Sequence, residues 1–498
     1  MKKYNFKTNV VIVLCLICTG MVFLSSCEKA LETKIYSQLT PQNFYQSESD
    51  ANSALITLYV PFTTNWGNPD PGSGVWYPSL YNSNSRTYLL RSLLSTDEVN
   101  GEGDRDLLNF TWGASTWTGD KEPTYYKISY VARATEIIDA INKSDNVNEA
   151  IKKSYTAQAK TLRAWLMYIL YDLYGPVNVK TDPATLTDTS ATPRPSAAEY
   201  CEFIEKDLKE AIPDLKDKYN ADAANWGRVS KGVANMVLLK LYMHNKQWAK
   251  AEEVAKNLAA MNYSLLTGAS GYANVFKQKA NNEIIYAVPA NDASPNYWIQ
   301  SSLPGDFKTG GGITREPGWA SIFMPWAFYD KYEAGDLRKS TIIENYTKTD
   351  GAIANRSSGL RGAVPLKFTG ISGNGPGYGI DVVVFRYAEV LLSLAEAINE
   401  QRGPEEAYVY VNEVRTRAGV APFSGMTQSQ FQAALLDERG RELYAEGSRR
   451  QDLIRNGSFI SNAIERGKTN AKPYMVLYPI PNAVIVQGKG VIEQNLGY

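Results

Sequence analysis

Apolar positions recur at spacings of three and four along most of the chain, which predicts a largely helical protein. Residues 155–174, "YTAQAKTLRAWLMYILYDLY", line up Tyr155, Ala159, Leu162, Leu166, Ile169 and Leu173 on one face. Gly175-Pro176 stops that helix, because neither residue continues it. Residues 124–142, with Tyr126, Val131, Ile137, Ile138 and Ile141, read as its antiparallel partner. Residues 228–262 predict a helical hairpin: "SKGVANMVLLKLYMHN", a turn at "KQW", then "AKAEEVAKNLAAMN". Ala249, Ala251 and Ala255 let its two backbones approach.

Between 265 and 380 the pattern breaks. "LPGDFKTGGGITREPGWA" and "TGISGNGPGYG" cannot hold long helices, and "NEIIYAVP" reads as a short strand. Loops this long inside a globular protein usually serve a function. Helices are expected again from Val384, first with Tyr387, Leu391, Leu394 and Ile398 on one face. A second follows Pro404 with Glu405 and Glu406 at its start and Arg415 and Arg417 at its end, which suits the helix dipole. Thr427 and Gln430 form a capping box for a third, running through "FQAALLDERGRELYAEG". The 228–262 hairpin resembles one tetratricopeptide unit, but no strict 34-residue period recurs elsewhere, so helix pairs rather than a regular solenoid are expected.

The first residues carry a different pattern. Lys2, Lys3 and Lys7 precede an apolar run from Val10 to Leu24, and Ser25-Ser26-Cys27 follows. A run this short with these flanks reads as a cleaved export signal over residues 1–26. Leu-Ser-Ser-Cys resembles a bacterial lipobox, which would make Cys27 the acylated first residue of the mature chain. Each buried CH₂ of the acyl chains contributes about 0.8 kcal/mol, enough in sum for a lasting anchor.

Composition narrows the chemistry. Removing the signal takes three lysines and no acid, leaving 472 residues with 49 basic and 52 acidic side chains, a charge of −3. With no basic run either, nucleic acid is not an expected partner. Cys15 and Cys18 leave with the signal, so Cys201 alone cannot build a disulfide framework and reads as a small buried hydrophobe. The single histidine, His244, excludes multi-histidine zinc sites within one chain and is expected at a helix C-terminus or the surface. No metal and no cofactor are expected. Asp104, Asp106 and Asn109 lack the spacing and the bidentate acid of a calcium loop, and "GNGPGYG" lacks the lysine of a phosphate cradle. The positive signal is aromatic: 32 tyrosines and 10 tryptophans, amphipathic rings that suit wet interfaces and sugar-facing clefts alike.

Four blocks near the C-terminus carry a family resemblance: "RYAEVLLSLAEA" (386–397), "VNEVRTRAG" (411–419), "ERGRELYAEGSRRQDLIRNG" (438–457) and "YPIP…QNLGY" (478–498). In this order, behind a lipoprotein signal, they look like the SusD/RagB family of nutrient-binding lipoproteins. "LRAWLMYILYDLYGPV", "RVSKGVANMVLLKLYM" and "LTPQNFYQSESDANSAL" resemble that family's helical core and opening helix. The resemblance implies a mostly all-α fold, with tetratricopeptide-like helix pairs packed against a loop-rich, irregular ligand-binding portion. It divides the chain into the signal (1–26), an N-terminal helical portion (27–264), a loop-rich insert (265–380) and a C-terminal helical portion (381–498). It implies a non-enzymatic outer-membrane lipoprotein at the cell surface, held to lipid by Cys27. Such a protein captures glycan and hands it to a SusC-like TonB-dependent transporter, without a cofactor. The charges Arg439, Arg441, Glu442, Glu446, Arg449, Arg450 and Asp452 alternate in sign along a helix and its exit, and read as architecture.

A ligand site for sugar needs several aromatic platforms, since each covered sugar face is worth only about 1–1.5 kcal/mol. Trp165 and Trp248 lie in helical sequence and are expected to pack, whereas most other tryptophans lie in loops and are expected to be exposed. By the resemblance, the ligand arc draws on "FTWGASTWTGD" and "NYWIQ…REPGWASIFMPW", giving Trp112, Trp117, Tyr297, Trp298 and Trp319 as platforms. Asp97, Arg86 and Asn296 are the candidate hydroxyl partners. Two other readings compete. A glycoside hydrolase would need two carboxylates across a cleft. Glu389 and Glu396 share one helix, but Arg386 and that helix's core position favour ion pairing. A RagB-like peptide binder would keep the fold and rely on main-chain hydrogen bonds rather than an aromatic arc.

Overall fold

The apolar stripe over 155–174 lies in a helix of the structure, a computed structural model. It describes residues 45, 47–64, 68–69, 76–77, 79–83, 87–101, 104–116, 123–291, 294–308, 318, 322–368 and 379–498. Cys27, Arg86, Trp117 and Trp319 lie outside the described residues. Residues Ser47–Tyr498 form one compact unit.

Capping chemistry fixes where the helices begin. The Ser47 hydroxyl accepts from the Asp50 amide and opens α1 (Glu48–Thr57); Thr87 does the same for the wholly buried α2 (Tyr88–Leu94). After α3 (Ser129–Lys143), Asn148 caps α4 (Glu149–Tyr174), so this helix starts one and a half turns before the stripe that announces it. Gly175, at φ 72°, ends it where expected. Then come α5 (Ala197–Ala211), α6 (Lys231–His244) and α7 (Trp248–Ala259). α4 packs between α3 and α5, and α6 pairs with α7. Trp165 of α4 is 1% exposed and sits among Phe62 (4.4 Å between ring centres), Phe385 (4.9 Å) and Tyr286 (5.1 Å), as core packing requires.

The middle of the chain supplies short strands. Among them are β1 (Asn100–Gly101), β2 (Ile284–Val288), β3 (Ile322–Pro325), β4 (Ile342–Ile343), β5 (Gly362–Pro365) and β6 (Val382–Arg386). β1, β3, β5 and β4 form one antiparallel sheet in that order. A Cβ on Gly362 would lie 2.2 Å from the Met324 carbonyl oxygen, so only glycine lets β5 approach β3. β2 pairs with β6, Val288 opposite Val382 and Ile284 opposite Arg386. The helix expected from Val384 therefore starts later. Val382, Val383 and Val384 are β-branched and favour a pleated strand, and α8 (Tyr387–Arg402) begins only after Arg386, which is still extended at φ −148°.

α8 is buried almost throughout and packs on α7, on α9 (Tyr408–Arg417) and on α10 (Gln428–Leu443). The Thr427–Gln430 capping box is formed in both directions. α10 stops at Leu443, earlier than its apolar stripe suggests, because Ala445 takes a left-handed φ of 61°. The exit leads into α11 (Arg449–Arg455). Here the alternating charges form a buried ionic lattice. Arg386 reaches Glu283 (2.9 Å), Glu442 (2.5 Å) and Glu446 (2.7 Å); Arg338 reaches Asp336 (2.7 Å), Glu438 (2.6 Å) and Glu442 (3.2 Å). Arg439 and Arg455 share Asp452, at 2.9 and 2.7 Å. These residues hold α8, α10, α11 and the ends of β2 and β6 together, which is the architectural role their pattern indicates.

Candidate functional site

The residues expected to hold a ligand occupy three different settings. Trp112 follows a short helix, Arg105–Asn109, that ends in a left-handed Phe110. Its backbone is a loop, yet its side chain is 2% exposed. The indole lies 4.7 Å from Phe110 and 5.1 Å from Tyr478, and its Nε1 donates to Tyr498 Oη at 2.8 Å. Trp112 is thus not the solvent-facing platform expected of it: it fastens the C-terminal tail, whose aromatic residues fill the space a sugar would need.

Asp97 is also committed. It takes a two-pronged bond from Arg449, 2.7 Å to Nε and 2.8 Å to Nη2, with Lys331 at 3.4 Å. Burial would raise its pKa, but Arg449 outweighs burial and holds the carboxyl well below the usual range. A carboxylate so paired has little left for a hydroxyl group, which corrects its expected role.

Asn296, Tyr297 and Trp298 stay together, as their sequence demands. Asn296 is buried; its Nδ2 donates to the carbonyls of Phe368 (3.1 Å) and Ile380 (2.8 Å), and its Oδ1 accepts from the Trp298 amide (2.9 Å). Its amide thus clamps the two ends of the glycine-rich 369–379 segment instead of meeting solvent. Trp298 starts the short helix Trp298–Ser302, is 2% exposed and lies 5.2 Å from Phe368. It too differs from the exposed ring expected, because Phe368 and the neighbouring wall enclose it. Tyr297, half-buried, is the described platform candidate that keeps solvent contact.

The acids of α8 are spoken for. Glu389 pairs with Lys240 (2.5 Å) and accepts from the Ser448 hydroxyl (3.2 Å); Glu396 pairs with Arg455 (2.5 Å). Ion pairing is what was expected, but with these partners rather than Arg386. His244 ends α6 with its ring 4.9 Å from Tyr171, and burial pushes it down to about 4 even though Asp172 Oδ1 lies 3.9 Å from Nδ1. It is a packed neutral imidazole rather than a surface residue. Among the described residues no group of three His, Cys, Asp or Glu side chains is placed to hold a metal ion, and no helix is long and apolar enough to cross a membrane.

Sequence reasoning passed over one open aromatic cleft, of about 300 Å³, between α1, the turn Asn225–Arg228 and Pro289. Its available signal was "NWGR" (225–228), a tryptophan next to a glycine that must turn.

Two family models match the chain. One, described as the SusD family, matches residues 318–498; the other, described as starch-binding associating with outer membrane, matches residues 81–243. Over both stretches the chain is similar to SusD-family proteins. Its SusD-family relatives include SusD-like protein P25 of Formosa agariphila, 26% identical over 92% of this chain and 93% of the relative. The starch-binding protein SusD of Bacteroides thetaiotaomicron is 24% identical over 86% and 87% of the two chains. A SusD superfamily structure from Bacteroides vulgatus superposes with a TM-score of 0.74 at 20% identity, covering 91% of this chain and 100% of that one. Surface glycan-binding protein A of B. thetaiotaomicron, in complex with laminarihexaose, superposes at 0.72 and 20% identity, covering 90% and 99%. The mostly helical SusD-like fold is thereby established.

Proposed function

We propose that this protein is a cell-surface glycan-capture lipoprotein that delivers its ligand to a SusC-like TonB-dependent transporter in the outer membrane. Kinship over nearly the whole chain with the starch-binding SusD carries the reading. The laminarihexaose complex and a laminarin-binding SusD-like protein of the same fold support it. Acylated Cys27 anchors the chain to lipid. The protein binds and does not cleave. Tyr297, with Trp117, Trp319 and Arg86, contacts the sugar; Asn296 and Trp298 brace the wall behind Tyr297. Flat rings cover the C–H faces of a pyranose, and each is worth only about 1–1.5 kcal/mol, so several act together.

Calorimetric titration of the purified protein against a panel of polysaccharides that includes starch and laminarin, with a peptide digest alongside, tests this. Saturable heat with one glycan class, weakened by Trp319→Ala or Tyr297→Ala, is expected. Binding to peptides with none to glycans would overturn it in favour of a RagB-like peptide binder. Co-purification of a TonB-dependent transporter from outer membranes tests the delivery step; isolation of the protein alone under conditions that keep other outer-membrane complexes intact would count against it.

A further inference from the structure

The open cleft has the build of a sugar subsite. Its lining includes Ile56 and Tyr59 from α1 and its exit, Asn225, Trp226 and Arg228 from the turn before α6, and Pro289 after β2. Ile56 is 44% exposed and Pro289 is exposed, so the space is open to solvent. At about 300 Å³ it lies at the small end of ligand pockets, which suits one or two rings rather than a long chain.

Its walls are fixed before any ligand arrives. Trp226 Nε1 donates to Asp381 Oδ2 at 2.7 Å, and Asp381 is itself held by the Ala290 amide (3.0 Å) and Lys279 (2.9 Å). Tyr59 Oη donates to Gln158 Oε1 at 2.9 Å and accepts from the Val229 amide at 3.1 Å. Arg228 is pinned by Asn52 (2.7 Å) and Gln158 (3.2 Å), and Asn225 by Asp222 (3.1 Å). The turn sits tight on the strand exit: Gly227 has φ +93°, and a Cβ there would lie 2.3 Å from Pro289 Cγ. Rings and polar groups locked in this way lose little freedom when a ligand binds. The chemistry is mixed as well. An indole and a phenol supply flat apolar faces, while a guanidinium, a carboxamide and the hydroxyl-bearing Thr63 and Ser294 surround them. Flat rings beside polar groups match a pyranose, which has an apolar C–H face and a hydroxyl rim.

We infer that the Tyr59–Trp226 cleft binds a pyranose ring, a subsite that takes a second part of the captured glycan. This rests on the glycan-capture reading. The test titrates the full chain with laminarihexaose and maltoheptaose, comparing wild type, Ile56→Arg and Asn225→Ala, with thermal melts to confirm folding. Ile56 is an exposed helical position, so a long side chain there fills the cleft without disturbing the core. Weaker affinity in both variants at unchanged melting temperature is expected, about five- to tenfold for Ile56→Arg, the loss of about one stacked ring. Wild-type affinity in both variants would overturn the subsite while leaving glycan capture intact. Peptide binding that Ile56→Arg abolishes would overturn the assignment to sugar. Failure of the wild type to bind either oligosaccharide or any polysaccharide of the panel would overturn both readings.

Discussion

Replacing Glu442 by glutamine should destabilise the protein by about 3–5 kcal/mol, the range found when one partner of a buried ion pair is removed. Glu442 is fully buried and meets three guanidinium groups: Arg386 at 2.5 Å, Arg338 at 3.2 Å, and Arg417. None of the three is abandoned by the change. Arg386 keeps Glu283 and Glu446, Arg338 keeps Asp336 and Glu438, and Arg417 keeps Glu283. The full Coulomb energy is therefore not lost. What remains is one uncompensated positive charge away from water and an amide NH₂ facing a cation. Burial works to raise the Glu442 pKa, but Arg417, Arg386 and Arg338 prevail and hold it far below the carboxylate range. The stability it provides is thus present above about pH 4.3, the unfolded value, and is lost as pH falls further. Urea unfolding followed by circular dichroism gives the midpoint and slope for both proteins. A lower midpoint at unchanged slope is expected, and it is a large fraction of a typical total of about 5–15 kcal/mol. A loss below about 1 kcal/mol at pH 7 would refute the view that this lattice holds the helices together.

Two further outcomes follow from the same geometry. The single histidine can be titrated alone by NMR: His244 should protonate near pH 4, so up to about 3 kcal/mol of stability present above pH 6.5 is lost as pH falls toward that value, and a midpoint of 6 or higher would contradict its packing. Asp97→Asn should cost about 3 kcal/mol of stability and leave glycan affinity within about twofold; lost affinity at unchanged stability would return Asp97 to the ligand site.

The helices were legible because their signals are local. The 155–174 stripe, the Gly175 stop and the Thr427 capping box each act within a few residues, and all three stand in the structure. Val384 misled because a β-branched strand and a buried helix both present continuous apolar sequence, and pairing with Val288 and its neighbours decided between them. Trp112 and Trp298 misled for a different reason. A loop backbone says nothing about where a ring goes: Trp112 finds its partner 386 positions away at Tyr498, and no pattern in the sequence joins the two. The charged blocks were read correctly as framework since both signs along one helix and its exit let buried charges find opposite partners on the facing elements. The cleft beside Trp226 was missed because its walls come from three distant stretches, each ordinary alone.

The amide of Asn296 meets the carbonyls of Phe368 and Ile380, so the two positions that flank residues 369–379 are pinned at one side chain. Lengthening a loop whose ends are already fixed is thermodynamically inexpensive, about 0.6 kcal/mol for each doubling. Insertions and deletions in 369–379 can therefore accumulate over evolutionary time without shifting β5 or β6.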